Sequence, residues 1–303
     1  MEMLILIVSY NGGGTIGSTV RNCLATARNM PVLVVDNASS DNTLSVLHGI
    51  EDARLQVLPM QVNAGLGAAY NAGIAKAASL GAKWLFVLDQ DSLVASECLE
   101  RLIQTAGEML RNDEPVAAVA PTIRSRYFPE IIHYPLKWNG KQLISCCAMP
   151  GDHCRPVRVD SPISSGTLYR VEALAAIQGF RESYFIDFID HECHLRLIRA
   201  GYSLWWEPRA VVYHRLGSIQ RMTASGFWIE HPAYRYYYMA RNMTEGYYRL
   251  GGLSALMCFW WEAARHMKRL CINGRNPVAS ICYIIRGCCD AVIGKSGPLA
   301  SNH

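Results

Sequence analysis

The strongest constraint in the sequence is an alternation that runs through its first 120 residues. Short apolar runs bounded by turn residues are separated by longer stretches of helical period. That pattern belongs to a parallel sheet with crossover helices. Strands are expected at 4–8, 32–35, 55–58, 84–88 and 116–120, with helices at 17–26, 43–48, 67–78 and 98–110. Sheets of this kind bind ligands beyond the carboxyl ends of their strands. From 121 to 162 the period is lost and loops with short irregular strands are expected. A strand at 163–169, a short helix after Arg170, a polar helix at 190–200 stopped by Gly201, and strands at 204–206 and 211–214 complete this part.

Charge divides the chain unevenly. Residues 1–215 carry 19 Lys and Arg against 21 Asp and Glu, whereas 216–303 carry 10 against 4. Two regions follow: a catalytic domain at 1–215 and a basic, aromatic-rich helical tail at 216–303. Tyr234, Tyr236, Tyr237, Tyr238, Tyr247, Tyr248, Trp260 and Trp261 interleave with the tail's cations. Aromatics beside cations favour a lipid headgroup region. Over 252–272, Glu262, Arg265 and Arg269 share a helical face while Leu256, Phe259, Trp260, Met267 and Leu270 supply apolar surface. Such a helix can lie on a membrane, pack on the catalytic domain or pair two copies. No nucleic-acid module is readable. The apolar run at 253–261 is cut short by Glu262 and Arg265, too early to cross a bilayer. The start of the chain reads as a first strand and not as a signal peptide. Eleven cysteines without a C-x-x-C pair suit reduced thiols in the cytoplasm. Cys146, Cys147, His153 and Cys154 could be drawn together as a metal cluster, but their spacing closes a tetrahedral site poorly.

The chemistry gathers at the strand ends: Ser9-Tyr10-Asn11, then Asp36-Asn37 through Asp41, then Asn63-Ala64-Gly65, then Asp89-Gln90-Asp91. Any one of these suits an ordinary turn; four in succession converge on one edge. Two carboxylates after an apolar strand suit a hard cation, Mg²⁺ or Mn²⁺, which bridges to a diphosphate. His214, closing the last strand, is a credible further ligand, better suited to Mn²⁺. Asp190 and Glu192 open the polar helix. Both can serve as ordinary helix-start acids, or one can be a general base for an acceptor hydroxyl. A rival motif is Gly12-x-Gly14-x-x-Gly17 with Asp36 downstream, which fits an NAD(P)- or FAD-dependent oxidoreductase. That reading leaves Asp89, Asp91, Asp190, Glu192 and His214 without roles.

Taken in order, Ile7-Val8-Ser9-Tyr10-Asn11, Val34-Val35-Asp36-Asn37-Ala38-Ser39-Ser40-Asp41, Asn63-Ala64-Gly65-Leu66-Gly67-Ala68-Ala69-Tyr70-Asn71 and Leu88-Asp89-Gln90-Asp91-Ser92 resemble the family 2 glycosyltransferases. The resemblance is nearest to the bacterial rhamnosyltransferase-type members and covers nearly the whole chain. It implies an α/β, A-type glycosyltransferase fold, a Rossmann-like mixed sheet flanked by helices, with a C-terminal helical extension. It further implies that Asp36 reads a pyrimidine base, that Asp89 and Asp91 serve ribose, diphosphate and metal, and that His214 completes the metal shell. Ser164-Ser165-Gly166 resembles the loop beside the sugar pocket, and residues 185–196 resemble the acidic helix, with Asp190 as the base and Glu192 the next candidate. Nucleotide-sugar contacts are thereby expected from Ser9, Tyr10, Asn11, Asp36, Asn37, Asn63, Gly65, Asn71, Asp89, Ser165 and Gly166. The implied reaction is inverting transfer from a dTDP- or UDP-sugar, dTDP-rhamnose foremost, to a lipid-linked saccharide in cell-surface polysaccharide assembly. The place implied is the inner face of the membrane, as a peripheral protein able to form homo-oligomers. One departure is Cys193, where family members often carry an aromatic residue after the glutamate.

Overall fold

The structure is a computed structural model that describes residues 2–27, 29–146, 155–215, 217, 219–223 and 226–299. Cys147, His153 and Cys154 of the conceivable cysteine cluster lie outside the described residues.

The first half alternates as its sequence implies: β1 (Met3–Ser9), α1 (Ile16–Thr26), β2 (Val32–Asp36), α2 (Thr43–His48), β3 (Leu55–Pro59), α3 (Leu66–Ser79), β4 (Trp84–Asp89), β5 (Leu93–Val94), α4 (Cys98–Arg111) and β6 (Val116–Ser125). Short strands follow, β7 (Ile132–His133), β8 (Leu136–Trp138), β9 (Leu143–Ser145) and β10 (Val157–Val159). Then come β11 (Leu168–Arg170), α5 (Val171–Ala176), a 3-10 turn at Glu182–Tyr184, α6 (Ile189–Arg199) and β12 (Ser203–His214). The end comprises β13 (Ile219–Thr223), β14 (Gly226–Glu230), α7 (Ala233–Asn273) and α8 (Pro277–Val292).

The main sheet runs β10-β12-β6-β11-β4-β1-β2-β3. β1, β2, β3 and β4 are mutually parallel, β11 lies antiparallel between β4 and β6, and β12 is parallel to β6. Every residue of β1 and β2 is buried. Such near-continuous apolar strands need cover on both faces. One face is covered by α1 and α4, through Val20, Leu24, Leu102 and Met109. The other is covered by α3, α5 and α6, through Tyr70, Ile74, Leu174 and Leu197, and here Tyr247, Leu256 and Phe259 of α7 join the same core.

Three details differ from the sequence reading. The strand expected at 163–169 is only Leu168–Arg170, because 163–167 turns through Gly166 at φ +85°. The two strands expected at 204–206 and 211–214 are one strand, β12, whose pairing with β6 is interrupted between Glu207 and Val211. The tail is neither wholly helical nor separate. It opens with the β13–β14 hairpin, and α7 packs into the core beneath the sheet through Tyr247, Leu256 and Phe259. Among the described residues, no helix is long and apolar enough to cross a membrane.

Candidate active site

The carboxyl ends of β1, β2 and β4 lie side by side, Ser9 opposite Asp36 and Val8 opposite Asp89. After β4 the chain crosses the sheet: β5 pairs with β12, Leu93 against Tyr213 and Val94 against Val212. This crossing lays the turn 89–92 over the ends of β11 and β6 and brings it to His214. The His214 Nδ1 lies 3.0 Å from Asp91 Oδ1 and 3.0 Å from Ser92 Oγ, and its Nε2 lies 3.5 Å from Asp89 Oδ2. Ser165 Oγ accepts from the Asp89 backbone N–H at 3.0 Å and meets Ser92 Oγ at 2.8 Å. Tyr70, fully enclosed, donates its hydroxyl to Asp89 Oδ1 at 3.1 Å.

These groups border a cleft of about 780 Å³, large enough for a sizeable ligand. Enclosure raises Asp89 above the usual carboxylate range; His214 and Tyr70 pull it down while Asp91 and Asp190 push it up. Burial depresses His214, but the neighbouring carboxylates of Asp91 and Asp89 outweigh that and leave it raised. Asp91 Oδ1 is buried and, despite its nearness to the imidazole, accepts no well-directed hydrogen bond. Among the described residues no three acidic, His or Cys groups converge as a ready-made cage. A magnesium- or manganese-type site does not require one, since such ions take one or two carboxylates and complete their shell with substrate phosphates and water. An orphaned carboxylate oxygen beside a second carboxylate at the cleft fits that donor set.

The acidic segment also lines the cleft. Asp190 and His191 both face the cleft. Asp190 Oδ1 accepts from the His191 N–H at 2.9 Å, and His191 Nδ1 meets Ser161 Oγ at 2.5 Å. The loop before α6 is strained: Phe185 (φ +64°, ψ −61°), Asp187 (φ +66°) and Phe188 (φ +62°) all have positive φ. With Ile186 N–H donating to Tyr184 carbonyl at 2.8 Å, Phe185 sits at the centre of a strained γ-turn. What holds it there is α7. Buried Arg241 donates to the carbonyls of Ser183, Tyr184 and Gly297, and Asn242 donates to those of Tyr184, Ile186 and Asp187. Gly65, at φ +90°, presses against the same turn; a Cβ there would lie 2.6 Å from the Phe185 carbonyl oxygen.

Tyr10, Asn37, Asn63, Gly65, Asp89, Asp91, Ser165, Asp190 and His214 meet in the cleft. Six other expected residues do not border it. Asp36 is fully buried and turned into its own loop, accepting from Ser39 N–H at 2.9 Å and Ser39 hydroxyl at 2.5 Å. Its place at the cleft is taken by Asn37, which bonds Asn63 Oδ1 at 2.9 Å and accepts from Ala64 N–H at 3.1 Å. Ser9 is buried against Gln90, and Asn11 holds Ser40 by its backbone N–H. Asn71 ties α3 to Phe180 and Glu182, and Gly166 is wedged between Pro121 and Val212. Glu192 is held beneath α6 by Arg181 and Arg196, each at 2.9 Å or less, and its side chain is 6% exposed. It braces the helix and does not border the cleft.

The glycine motif is also accounted for. Gly12 N–H donates to Thr43 Oγ1 and Gly13 N–H to Asp41 Oδ2, so these amides of the loop before α1 are already satisfied by side chains at the start of α2 and just before it. Where a dinucleotide's pyrophosphate would sit, a Cβ on Gly13 would lie 1.9 Å from Asn42 Oδ1. The sequence reading missed Arg215, His231, Tyr234 and Arg235, which line the cleft from the region read as a tail. Arg235 pairs with buried Asp187. Their signal was the basic and aromatic run beginning right after His214.

The sequence profile described as glycosyl transferase family 2 matches residues 4–176. The chain is 28% identical over 221 residues to dTDP-rhamnosyl transferase RfbF of Shigella flexneri, covering 71% of this chain and 70% of that protein. It is 33% identical over 106 residues to succinoglycan biosynthesis protein ExoO of Rhizobium meliloti (strain 1021), covering 35% of this chain and 30% of that one. Among solved structures it resembles GalNAc-T7 with UDP, GalNAc and Mn²⁺ (TM-score 0.61, 16% identity, 81% of this chain and 47% of that chain). It also resembles S. aureus TarS in complex with UDP-GlcNAc (TM-score 0.56, 15% identity, 96% of this chain and 81% of that chain). The fold is the A-type glycosyltransferase fold with added C-terminal helices. By the extent of the family match and by its fold, the chain belongs to glycosyl transferase family 2.

Proposed function

We propose that this glycosyltransferase inverts configuration as it moves L-rhamnose from dTDP-rhamnose to a lipid-linked saccharide during assembly of a cell-surface polysaccharide, with O-antigen or cell-wall chains as the product class. The observation that carries this reading is the sharing of one cleft by Asp190 and the Asp89, Asp91 and His214 group. The rhamnosyl donor is supported by the Shigella flexneri relative, and the polysaccharide product by the succinoglycan relative.

In this reading Asn37, Asn63, Gly65 and Tyr10 receive the nucleoside, and Asn37 replaces Asp36 as the reader of the base. Asp89 and Asp91, with His214, would hold Mg²⁺ or Mn²⁺, and a bound ion there neutralises charge on the departing diphosphate. Arg215 adds positive charge to the same cleft, where the charge of Arg235 is offset by Asp187. The acceptor hydroxyl gives its proton to Asp190 as its oxygen attacks the anomeric carbon. The bond from that carbon to the phosphate oxygen breaks on the opposite side, and the nucleoside diphosphate leaves with the electron pair. Peripheral attachment to the inner face of the membrane is supported by exposed Leu253, Met257 and Trp261 on α7 and Ile285 and Val292 on α8, in a segment rich in cations.

The test is a donor panel. Incubated with Mn²⁺ and no acceptor, the protein is expected to release nucleoside diphosphate slowly from dTDP-rhamnose and more slowly from UDP-sugars. Equal, background-level release from every nucleotide sugar would overturn the reading.

A further inference from the structure

A second cavity lies beside the cleft. The two halves of α7 are broken at Gly252, whose φ +66° and ψ −157° belong to a backbone region open essentially to glycine alone. The halves then face each other: Tyr247 meets Phe259 with ring centroids 5.4 Å apart, and Tyr236 meets His266 at 5.6 Å. Packing between them is incomplete. A cavity of about 520 Å³ remains, floored by Ala240, Tyr247, Phe259 and Ile284. That size lies within the roughly 300–1,000 Å³ typical of small-molecule sites.

Two features identify an occupant. Met239 and Met243 line both this cavity and the catalytic cleft, so the two spaces share a wall of flexible thioether side chains suited to an irregular apolar ligand. Burial also depresses the His266 imidazole, favouring its neutral form, whereas Arg265, paired with Glu262 at 3.0 Å, and Arg269 stand exposed along the mouth. The guanidinium of Arg269 lies over the Trp228 ring, 5.4 Å from its centroid. An aromatic and aliphatic interior whose rim carries two arginines against one glutamate, sharing a wall with the cleft, suits an amphiphile with an anionic head.

We infer that this groove holds the apolar chain of the acceptor, a long-chain lipid phosphate, so that the attached saccharide is presented to Asp190. The inference rests on the transferase reading above for what happens in the cleft, but the groove can be tested without donor. The full-length protein would be irradiated with a dodecyl phosphate bearing a diazirine at its terminal carbon, and the labelled residues mapped by mass spectrometry. Labelling is expected within 239–266 on residues that face the groove, competed roughly tenfold or more better by unlabelled octyl phosphate than by butyl phosphate. Ala263→Trp, which fills the groove, is expected to reduce labelling at least several-fold.

Labelling confined to the outer residues Leu253, Met257 and Trp261 would mean a membrane-facing surface only and would overturn the inference. Equal competition by butyl phosphate would overturn it as well. Should Ala263→Trp unfold, the wild-type map and its chain-length dependence still decide. A protein that turns over the donor but does not label in the groove loses this inference alone. One that labels there but turns over no nucleotide sugar loses the transferase reading alone.

Discussion

Asn242 of α7 donates its side-chain amide to the backbone carbonyl of Asp187 at 2.8 Å, and the same amide reaches the carbonyls of Ile186 at 2.8 Å and Tyr184 at 3.0 Å. One fully buried side chain from the region that reads as a tail thus fixes the strained loop that aims Asp190. Positive φ at three non-glycine residues costs on the order of 1–3 kcal/mol each, and such strain persists only where surrounding structure over-determines it.

Replacing Asn242 with leucine leaves three buried carbonyls without that donor. A loss of about 1–3 kcal/mol in stability is expected, read from thermal or urea unfolding. In the protein that remains folded, kcat is expected to fall more than nucleotide affinity, because the displaced loop leads into the proposed base, Asp190, whereas Asn37 and Asn63 are held by each other.

Asp190→Asn keeps the shape of the site and removes the proposed proton acceptor. Transfer is expected to drop by roughly 10²–10⁴-fold. Binding of dTDP in the presence of Mn²⁺, followed by calorimetry, is expected to change little.

Glu192→Gln offers the contrast. Its carboxylate is the shared partner of Arg181 and Arg196, so its loss strands two partly buried guanidinium groups. Destabilisation of about 3 kcal/mol is expected. Activity per folded molecule is expected to stay near the wild-type rate, a separation visible when turnover is normalised to the folded fraction.

His194 provides the acid limit of stability. It is fully buried against the Tyr169 hydroxyl at 2.6 Å, and burial depresses its pKa from 6.5 to about 3. Below pH 6.5 the unfolded chain therefore binds a proton that the folded protein refuses. Stability from this residue is complete above that pH and is lost as pH falls toward 3, with a slope approaching about 1.4 kcal/mol per pH unit. His194→Gln is expected to flatten the stability curve between pH 6 and 4 by about one proton, as measured by unfolding at a series of pH values.

Much of the fold was legible because β1, β2 and β4 are buried on both faces, which forces continuous apolar runs, and because the intervening helices are amphipathic. The Asp89 and Asp91 pair was legible for a similar reason: two acids directly after a buried strand have few structural uses. Asp36 looked like part of the same set and is not. Whether an acid at a strand end faces a ligand or its own turn depends on one side-chain torsion, here settled by Ser39. Glu192 misled in the same way, because the arginines that claim it, Arg181 and Arg196, sit 11 positions before and four after it. The contribution of α7 was hidden by composition. Arg235, Arg241 and Asn242 fall in the stretch read as a basic, aromatic-rich tail, yet their donors are spent on backbone carbonyls and a carboxylate more than 45 positions away.

The most direct test of the account is a calorimetric titration of dTDP into the wild-type protein and into Asp91→Asn, each with Mn²⁺ and again with EDTA. The account requires wild-type binding that weakens by roughly tenfold or more without the metal, and an Asp91→Asn variant whose affinity is equally weak under both conditions. Wild-type affinity unchanged by EDTA, together with an Asp91→Asn variant that binds as the wild type does, would contradict it.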